Sequence, residues 1–240
     1  MEIVVFVVPA VGGHMIVRRL VPHPYLAKHN EITGFVLAIV GVIYAVLLAF
    51  VVIIAWESYD QASNVAQAEV AAASDLDRFS QTYMDPQRSQ LRAEIARYAR
   101  LMEDEEWPAM QKGEQSAAAL ASADRIGDLT VAMIDADPRP RVAIHNVVTG
   151  ALRSFLDSRR TRLDENSEGI PTSLWIGLVI GAMITISFTY LFGAEDFRLQ
   201  LVVTGLLATL VAVMFSMVIA LDYPYRGYTA ISSDIWEHVR

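Results

Sequence analysis

The residues best placed to do chemistry lie on one stripe of an apolar helix. At about 100° per residue, Asn30, Thr33, Leu37, Gly41, Tyr44, Leu48, Val51, Ala55, Ser58 and Glu69 share a face. The chemistry such a stripe offers is passage rather than bond-making. A polar group inside a bilayer faces protein or a water-filled path. One reading therefore has Thr33, Leu37, Gly41, Tyr44, Leu48, Val51 and Ala55 lining a pore, with Leu48 and Val51 as a hydrophobic constriction. Glu57, Asp60 and Glu69 would then be charges at the pore mouth. The competing reading is packing: Gly41, Ala55, Ala62 and Ala66 are small, so a neighbouring helix can sit there. The opposite face, with Phe35, Val42, Val46 and Ile53, suits lipid or adjacent helices. The residues alone leave both readings open.

Bond-making chemistry has no comparable constellation. The five histidines, at 14, 23, 29, 145 and 238, form no pair at ligand spacing, and His14, His23 and His29 could meet only if their loop folded back. No nucleophile motif, phosphate loop or dinucleotide fingerprint occurs. The chain has no cysteine, which excludes disulfides, thiolate catalysis and Cys-ligated metals. No catalytic residue, metal site or cofactor is expected, and the chain does not read as an enzyme. Carboxylates between Asp75 and Glu106 read as a solvated face. A formal charge of -8 argues against a nucleic-acid partner, whose affinity depends on clustered Lys and Arg.

The stripe needs a helix that crosses a bilayer, and the sequence supplies one. Gly34 to Ala55 is uncharged, and at 1.5 Å per residue it spans about 33 Å against a hydrocarbon core of roughly 30 Å. Thr172–Gly193 and Leu199–Leu221 are two further uncharged spans. Ile3–Val17 is shorter and holds Pro9, Gly12 and Gly13; a kinked span is favoured over a re-entrant segment. Glu2 and Pro9 argue against a signal peptide. Only 19% of residues are charged, below the usual quarter or so, because a few long segments carry no charge while the centre is highly charged.

The fold class expected is an all-α membrane protein of about four spans, with a helical extramembrane domain between the second and third. Its parts are 1–33, the pore-candidate helix 34–56, the domain 57–171, spans 172–193 and 199–221, and a tail 222–240. No Gly or Pro occurs between Val42 and Asp85, so the second span continues outward until Pro86 ends it. A helix from Arg88 to Glu106 buries Leu91, Ile95, Tyr98 and Leu101 or Met102. Pro108 opens the next, with Leu120, Ile126, Leu129 and Met133 inward, and Asp-Pro-Arg-Pro at 137–140 breaks the chain. The last carries Ile144, Val148, Leu152, Phe155 and Leu163, and ends at Gly169-Ile170-Pro171. Gly177 and Gly181 form a G-x-x-x-G pair, suited to a seam between copies or to packing against the last span. Near the spans, Arg153, Arg159, Arg160, Arg162, Arg226 and Arg240 oppose Arg18, Arg19, Lys28 and Arg198 in shorter loops. That distribution does not fix an orientation by the positive-inside rule.

Several strings resemble the bestrophin-like domain family, a prokaryotic and plant membrane family. They are His29-Asn30-Glu31, Gly34-Phe35, Val40 through Phe50, Trp56-Glu57, Glu106-Trp107-Pro108, Arg160-x-Arg162-Leu163, Ile170-Pro171, Leu174-Trp175 and Leu221-Asp222-x-Pro224-Tyr225-x-Gly227. Together they cover about residues 29 to 230. The resemblance implies a relation to bestrophins, pentameric channels whose second helix lines a narrow neck and whose helical domain is cytosolic. It implies a homo-oligomer, a pentamer, in the inner membrane with lipid and permeant monovalent ions as its partners. The bestrophin clusters of calcium-binding acids are not recognisable here, which puts calcium gating in doubt.

Bestrophins mostly pass anions, but no basic residue lies between Lys28 and Arg78, while Glu31, Glu57, Asp60, Glu69, Asp75 and Asp77 crowd the ends of the second span. Carboxylate rings favour cations, so a cation channel, potassium included, is the expectation, with an anion channel as the alternative. A membrane-anchored helical sensor or scaffold is the reading from another class.

Overall fold

The computed structural model describes residues 2–137, 140, 142–167, 169–193 and 196–239, with side chains at all but 2, 3, 5 and 23. The Asp-Pro-Arg-Pro break therefore falls partly outside the described residues, as does the side chain of His23. The described residues are helical with no strand. Contacts divide them into two units, Met1–Trp56 with Ile170–Asp222, and Glu57–Gly169 with Tyr223–Arg240.

In the first unit, α1 (Glu2–Leu20) runs through Pro9 as one helix and is followed by α2 (His23–Ala27). It packs against α8 (Thr172–Tyr190) and α9 (Phe197–Asp222), which also pack on each other. Ala10, Ile186 and Ala208 meet there, and Phe6 and Phe215 stack at 4.9 Å. Helix α3 (Asn30–Ser80) has 51 residues, roughly 77 Å at 1.5 Å per residue. It begins four residues before the expected span and ends short of Pro86, because the chain turns from Gln81 to Tyr83. By length and composition, α3, α9 and a stretch within Val142–Tyr190 can cross a membrane.

Helix α3 lies antiparallel to α8, joined at four points. Asn30 donates to Gly193 O (3.1 Å) and accepts from Gly193 N (2.9 Å), Gly34 faces Phe192, Tyr44 faces Gly181 and Leu47 faces Gly177. A Cβ on Gly193 would stand 2.2 Å from the Ala27 backbone nitrogen, so only glycine allows that close turn. The G-x-x-x-G pair thus packs on α3, neither on the last span nor on a free seam.

The second unit holds the remainder of α3, then α4 (Gln87–Leu101), a π-helical turn Met102–Glu106, α5 (Trp107–Met110), α6 (Ala117–Ala136) and α7 (Val142–Ser167). Pro108 opens only the short α5. Helix α6 starts later, where Ser116 caps it by accepting from Ala119 N at 3.2 Å. Its inward residues are Ala119, Ala123, Ile126, Thr130 and Met133, while Leu120, expected inward, is exposed. The residues read as a tail fold into this unit: Tyr225 and Trp236 are fully buried. Tyr225 donates to Ala62 O (3.0 Å), Tyr59 to Thr229 O (3.0 Å) and Trp107 Nε1 to Ile231 O (2.8 Å).

Candidate pore helix and the buried charge network

The stripe predicted from α3 is a real face, but much of it looks inward. Thr33, Tyr44, Val51 and Ala55 are buried by the chain itself, and Leu37, Gly41 and Leu48 are half-buried. These four side chains pack within their own chain. The Tyr44 ring lies on Gly181, where a Cβ would come within 2.5 Å of Cδ2. Its hydroxyl has no partner among the described residues. The uncovered face holds Ile32, Phe35, Ile39, Val42, Val46, Phe50 and Ile53, all exposed.

The mouth carboxylates part company. Glu57 and Asp60 are exposed and border a shallow cleft of about 520 Å³ with Gln61 and Asn64. Asp60 accepts from Asn64 Nδ2 at 3.0 Å, and Gln61 Nε2 donates to Glu165 at 2.6 Å. Glu69 is 0% exposed. It is ion-paired inside the second unit.

There Arg162 Nε donates to Glu69 Oε2 at 2.5 Å, and Arg162 Nη2 to Glu106 Oε1 at 3.3 Å. Arg159 Nη1 donates to Glu106 Oε1 (3.0 Å) and to the Tyr98 hydroxyl (2.9 Å), which itself donates to Glu69 Oε1 (2.5 Å). Glu106 Oε2 also accepts from Ser116 N at 2.6 Å. Two guanidiniums balance two carboxylates, as burial of charge demands. Burial, then the nearby Glu69 charge, pushes the Tyr98 phenol well above its ordinary value. Burial disfavours the Arg162 cation, but Glu69, Tyr98 and Glu106 more than offset it, so its proton is held more tightly than usual. All five side chains are buried, and their ion pairs and hydrogen bonds join α3, α4, the π-helical turn and α7.

Sequence reading took Glu106 for a solvated acid and Arg159 and Arg162 for charges near a membrane surface. The available signal was that Val148, Phe155, Arg159, Arg162 and Asn166 share the buried face of α7. With Arg159 and Arg162 removed, the basic residues near the spans no longer outnumber those of the opposite side. At the end of α9, Asp222 accepts from Ile170 N (2.5 Å) and Trp175 Nε1 (3.2 Å), tying α9 to the start of α8. Of the three N-terminal histidines, His14 is buried against α9 and His29 is exposed beside Tyr25.

The Bestrophin-like domain family matches residues 4–235. Crystal structures of a bacterial bestrophin homologue from Klebsiella pneumoniae share the fold. One substituted form aligns at TM-score 0.74 and 10% identity, covering 100% of this chain and 96% of that one. A second aligns at 0.76 and 9%, with coverage of 100% and 96%. The form solved by Zn-SAD phasing aligns at 0.73 and 10%, with coverage of 99% and 95%. A comparison with curated proteins found no match.

Proposed function

We propose, from the premise that this chain belongs to the Bestrophin-like domain family, that it forms a homo-oligomeric ion channel, five copies around an axis lined by α3. The observation that carries this reading is the uncovered face of α3. Phe35, Ile39, Val42, Val46, Phe50 and Ile53 recur every three or four residues, and Glu57, Asp60 and Asn64 continue the same face. One helix thus presents a single exposed strip, apolar within the span and acidic beyond it. A strip facing only lipid has no need of the acidic continuation. A strip around an axis supplies both a hydrophobic neck, which can gate by dewetting, and a charged vestibule. Lining moves from the Tyr44 side to Ile39, Val42, Val46 and Phe50.

Selectivity follows from the vestibule. No Lys or Arg occurs in α3 before Arg78, so each copy contributes Glu57 and Asp60 without a compensating cation on that helix. Repeated around an axis, they favour cations, potassium among them.

Purified protein in planar bilayers tests the reading, together with the mass of the detergent-solubilised complex. A mass near five times the 26.6 kDa chain is expected. Unitary currents are expected to change in conductance with Val46→Ala and Phe50→Ala. Glu57→Gln with Asp60→Asn is expected to lower cation preference in bi-ionic reversal potentials. Absent currents, or a monomeric mass, would overturn the channel. Currents carried by anions would overturn the selectivity alone.

A further inference from the structure

A Ser or Thr hydroxyl in an apolar helix commonly returns its proton to that helix's own backbone. In α8 and α9, Thr185 donates to Gly181 O (2.8 Å), Thr189 to Ile186 O (2.6 Å), Thr209 to Gly205 O (2.8 Å) and Ser216 to Ala212 O (2.9 Å). Ser187 and Tyr190 of α8 depart from that pattern, for neither hydroxyl has a hydrogen-bond partner among the described residues. Both line one groove of about 660 Å³ between α1 and α8. Its other walls are apolar, with Ile16 and Val17 of α1 and Met183, Ile184, Phe188 and Leu191 of α8. Gly13 leaves room there, since a Cβ would stand 3.0 Å from the Tyr190 hydroxyl. A polar group facing hydrocarbon without a partner is costly. The two hydroxyls therefore call for an acceptor from outside the chain.

The groove lies where a bilayer turns polar. Gly34, the first residue of the uncharged stretch of α3, faces Phe192. Tyr190 is thus only about 3 Å inside that level, and Ser187 about one turn deeper. Helices α1 and α8 run parallel here, with Ala10 beside Ile186 and Gly13 beside Tyr190. Arg19, further along α1 than Gly13, stands about 9 Å beyond the Tyr190 level, at headgroup depth. It is exposed and has no ion pair among the described residues. Arg18 turns the other way and lies over the Phe197 ring of α9 at 5.7 Å. From inside outward the groove presents an apolar wall, two unsatisfied hydroxyls and an unpaired cation. A phospholipid carries its chain, ester oxygens and phosphate in that order.

We infer that the groove between α1 and α8 binds one anionic phospholipid per chain. An acyl chain lies on Ile184 and Phe188, ester oxygens accept from Tyr190 and Ser187, and the phosphate meets Arg19. Unselective contact with lipid needs neither a recess nor open hydroxyls. A zwitterionic lipid offers the same esters but offsets its phosphate with its own ammonium, so the arginine selects the anionic headgroup. The site belongs to the first unit alone and does not depend on conduction, so the channel reading can fail without it.

Native mass spectrometry of the full chain reads bound lipid directly, after the detergent-solubilised protein is stripped and titrated with phosphatidylglycerol or phosphatidylcholine of identical chains. Phosphatidylglycerol is expected to bind about fivefold tighter, the contribution of one basic residue at a membrane surface. Arg19→Gln is expected to erase that preference and Arg19→Lys to keep it. Arg198→Gln, at the same end of the first unit, is expected to leave it intact. Tyr190→Phe with Ser187→Ala is expected to weaken both lipids alike. Ile16→Trp, which fills the groove, is expected to displace both without altering the subunit number. Equal retention of the two lipids by the unsubstituted chain would overturn the inference, as would a loss in Arg198→Gln that matches Arg19→Gln. An Ile16→Trp chain that no longer assembles would assign the groove to a seam between copies and overturn it as well.

Discussion

Arg162 is the residue whose loss the second unit should tolerate least. Its side chain is fully buried and touches both carboxylates of the network. Arg162→Met leaves Glu106 with Arg159 and the Ser116 amide, but leaves Glu69 with only the Tyr98 hydroxyl. An uncompensated buried carboxylate of this kind costs about 3–5 kcal/mol, a large share of the roughly 5–15 kcal/mol that holds a domain folded. For a unit of this size, each kcal/mol moves Tm by roughly 3–5 °C, so the variant should melt about 10–20 °C lower. Trp107 and Trp236, both buried in this unit, report its unfolding by fluorescence in detergent. Removing the stranded charge as well, in Arg162→Met with Glu69→Met, should recover about half of the loss or more, because an apolar pair of similar volume often replaces a buried ion pair at little cost. If Arg162→Met melts within a few degrees of the unsubstituted chain, or the double variant melts no higher than the single, the network does not hold the unit together as described.

Gly181→Val puts a Cβ within 2.5 Å of the Tyr44 ring; overpacking of that kind costs about 1–3 kcal/mol. The loss should appear as a lower Tm and be relieved when Tyr44→Ala is added. Tyr44→Phe should leave stability unchanged or slightly raised, since the hydroxyl it removes has no partner among the described residues; a clear loss in thermal melts would show that the hydroxyl is bonded in the assembled protein. Burial raises the phenols of Tyr98 and Tyr225 above the ordinary value of 10.0. A raised folded-state value gives stability that is whole below pH 10 and lost as pH rises further, so the second unit should unfold in alkali with both phenols ionising as it opens. Tyrosinate absorbance rising well before tryptophan fluorescence changes in Tyr98-only and Tyr225-only difference spectra would contradict this. Asp222→Ala should free the Ile170 amide and the Trp175 indole and cost about 1–3 kcal/mol, visible in the same melts.

Periodicity made α3 legible as one long helix with two faces, but could not say which face the protein keeps. Both faces are apolar within the span, so there is no polar-to-apolar contrast of the kind that orients a helix at a water boundary. Tyr44 stood out as the polar residue, yet the glycine that receives its ring lies far along the chain, in α8. The charged residues were misread for a related reason. Arg and Glu are almost always exposed unless paired, and the pairs Glu69–Arg162 and Glu106–Arg159 join α3, α7 and the π-helical turn across long sequence separations. Locally encoded features were readable: the stop before Pro86, the inward Leu91, Ile95 and Tyr98, and the break near 137. The late start of α6 was not, because Ser116 is a stronger opening signal than Pro108 only once Gly113, at φ +79, has turned the chain.

The strings that resemble the family largely close the fold. Asn30 meets Gly193, Glu106 and Arg162 pair, Trp107 and Tyr225 hold the C-terminal segment, and Asp222 ties Ile170 and Trp175. The same Val40–Phe50 segment that packs Tyr44 inward turns Val42, Val46 and Phe50 outward. A neck built from such residues excludes water by being apolar and does not discriminate the sign of an ion. In the proposed channel, discrimination falls instead to charge at the exits, where Glu57 lies in a shared string and Asp60 does not. In the channel proposed above, preference between cations and anions should therefore follow Glu57 and Asp60, and reversal potentials that do not move in Glu57→Gln with Asp60→Asn would refute this.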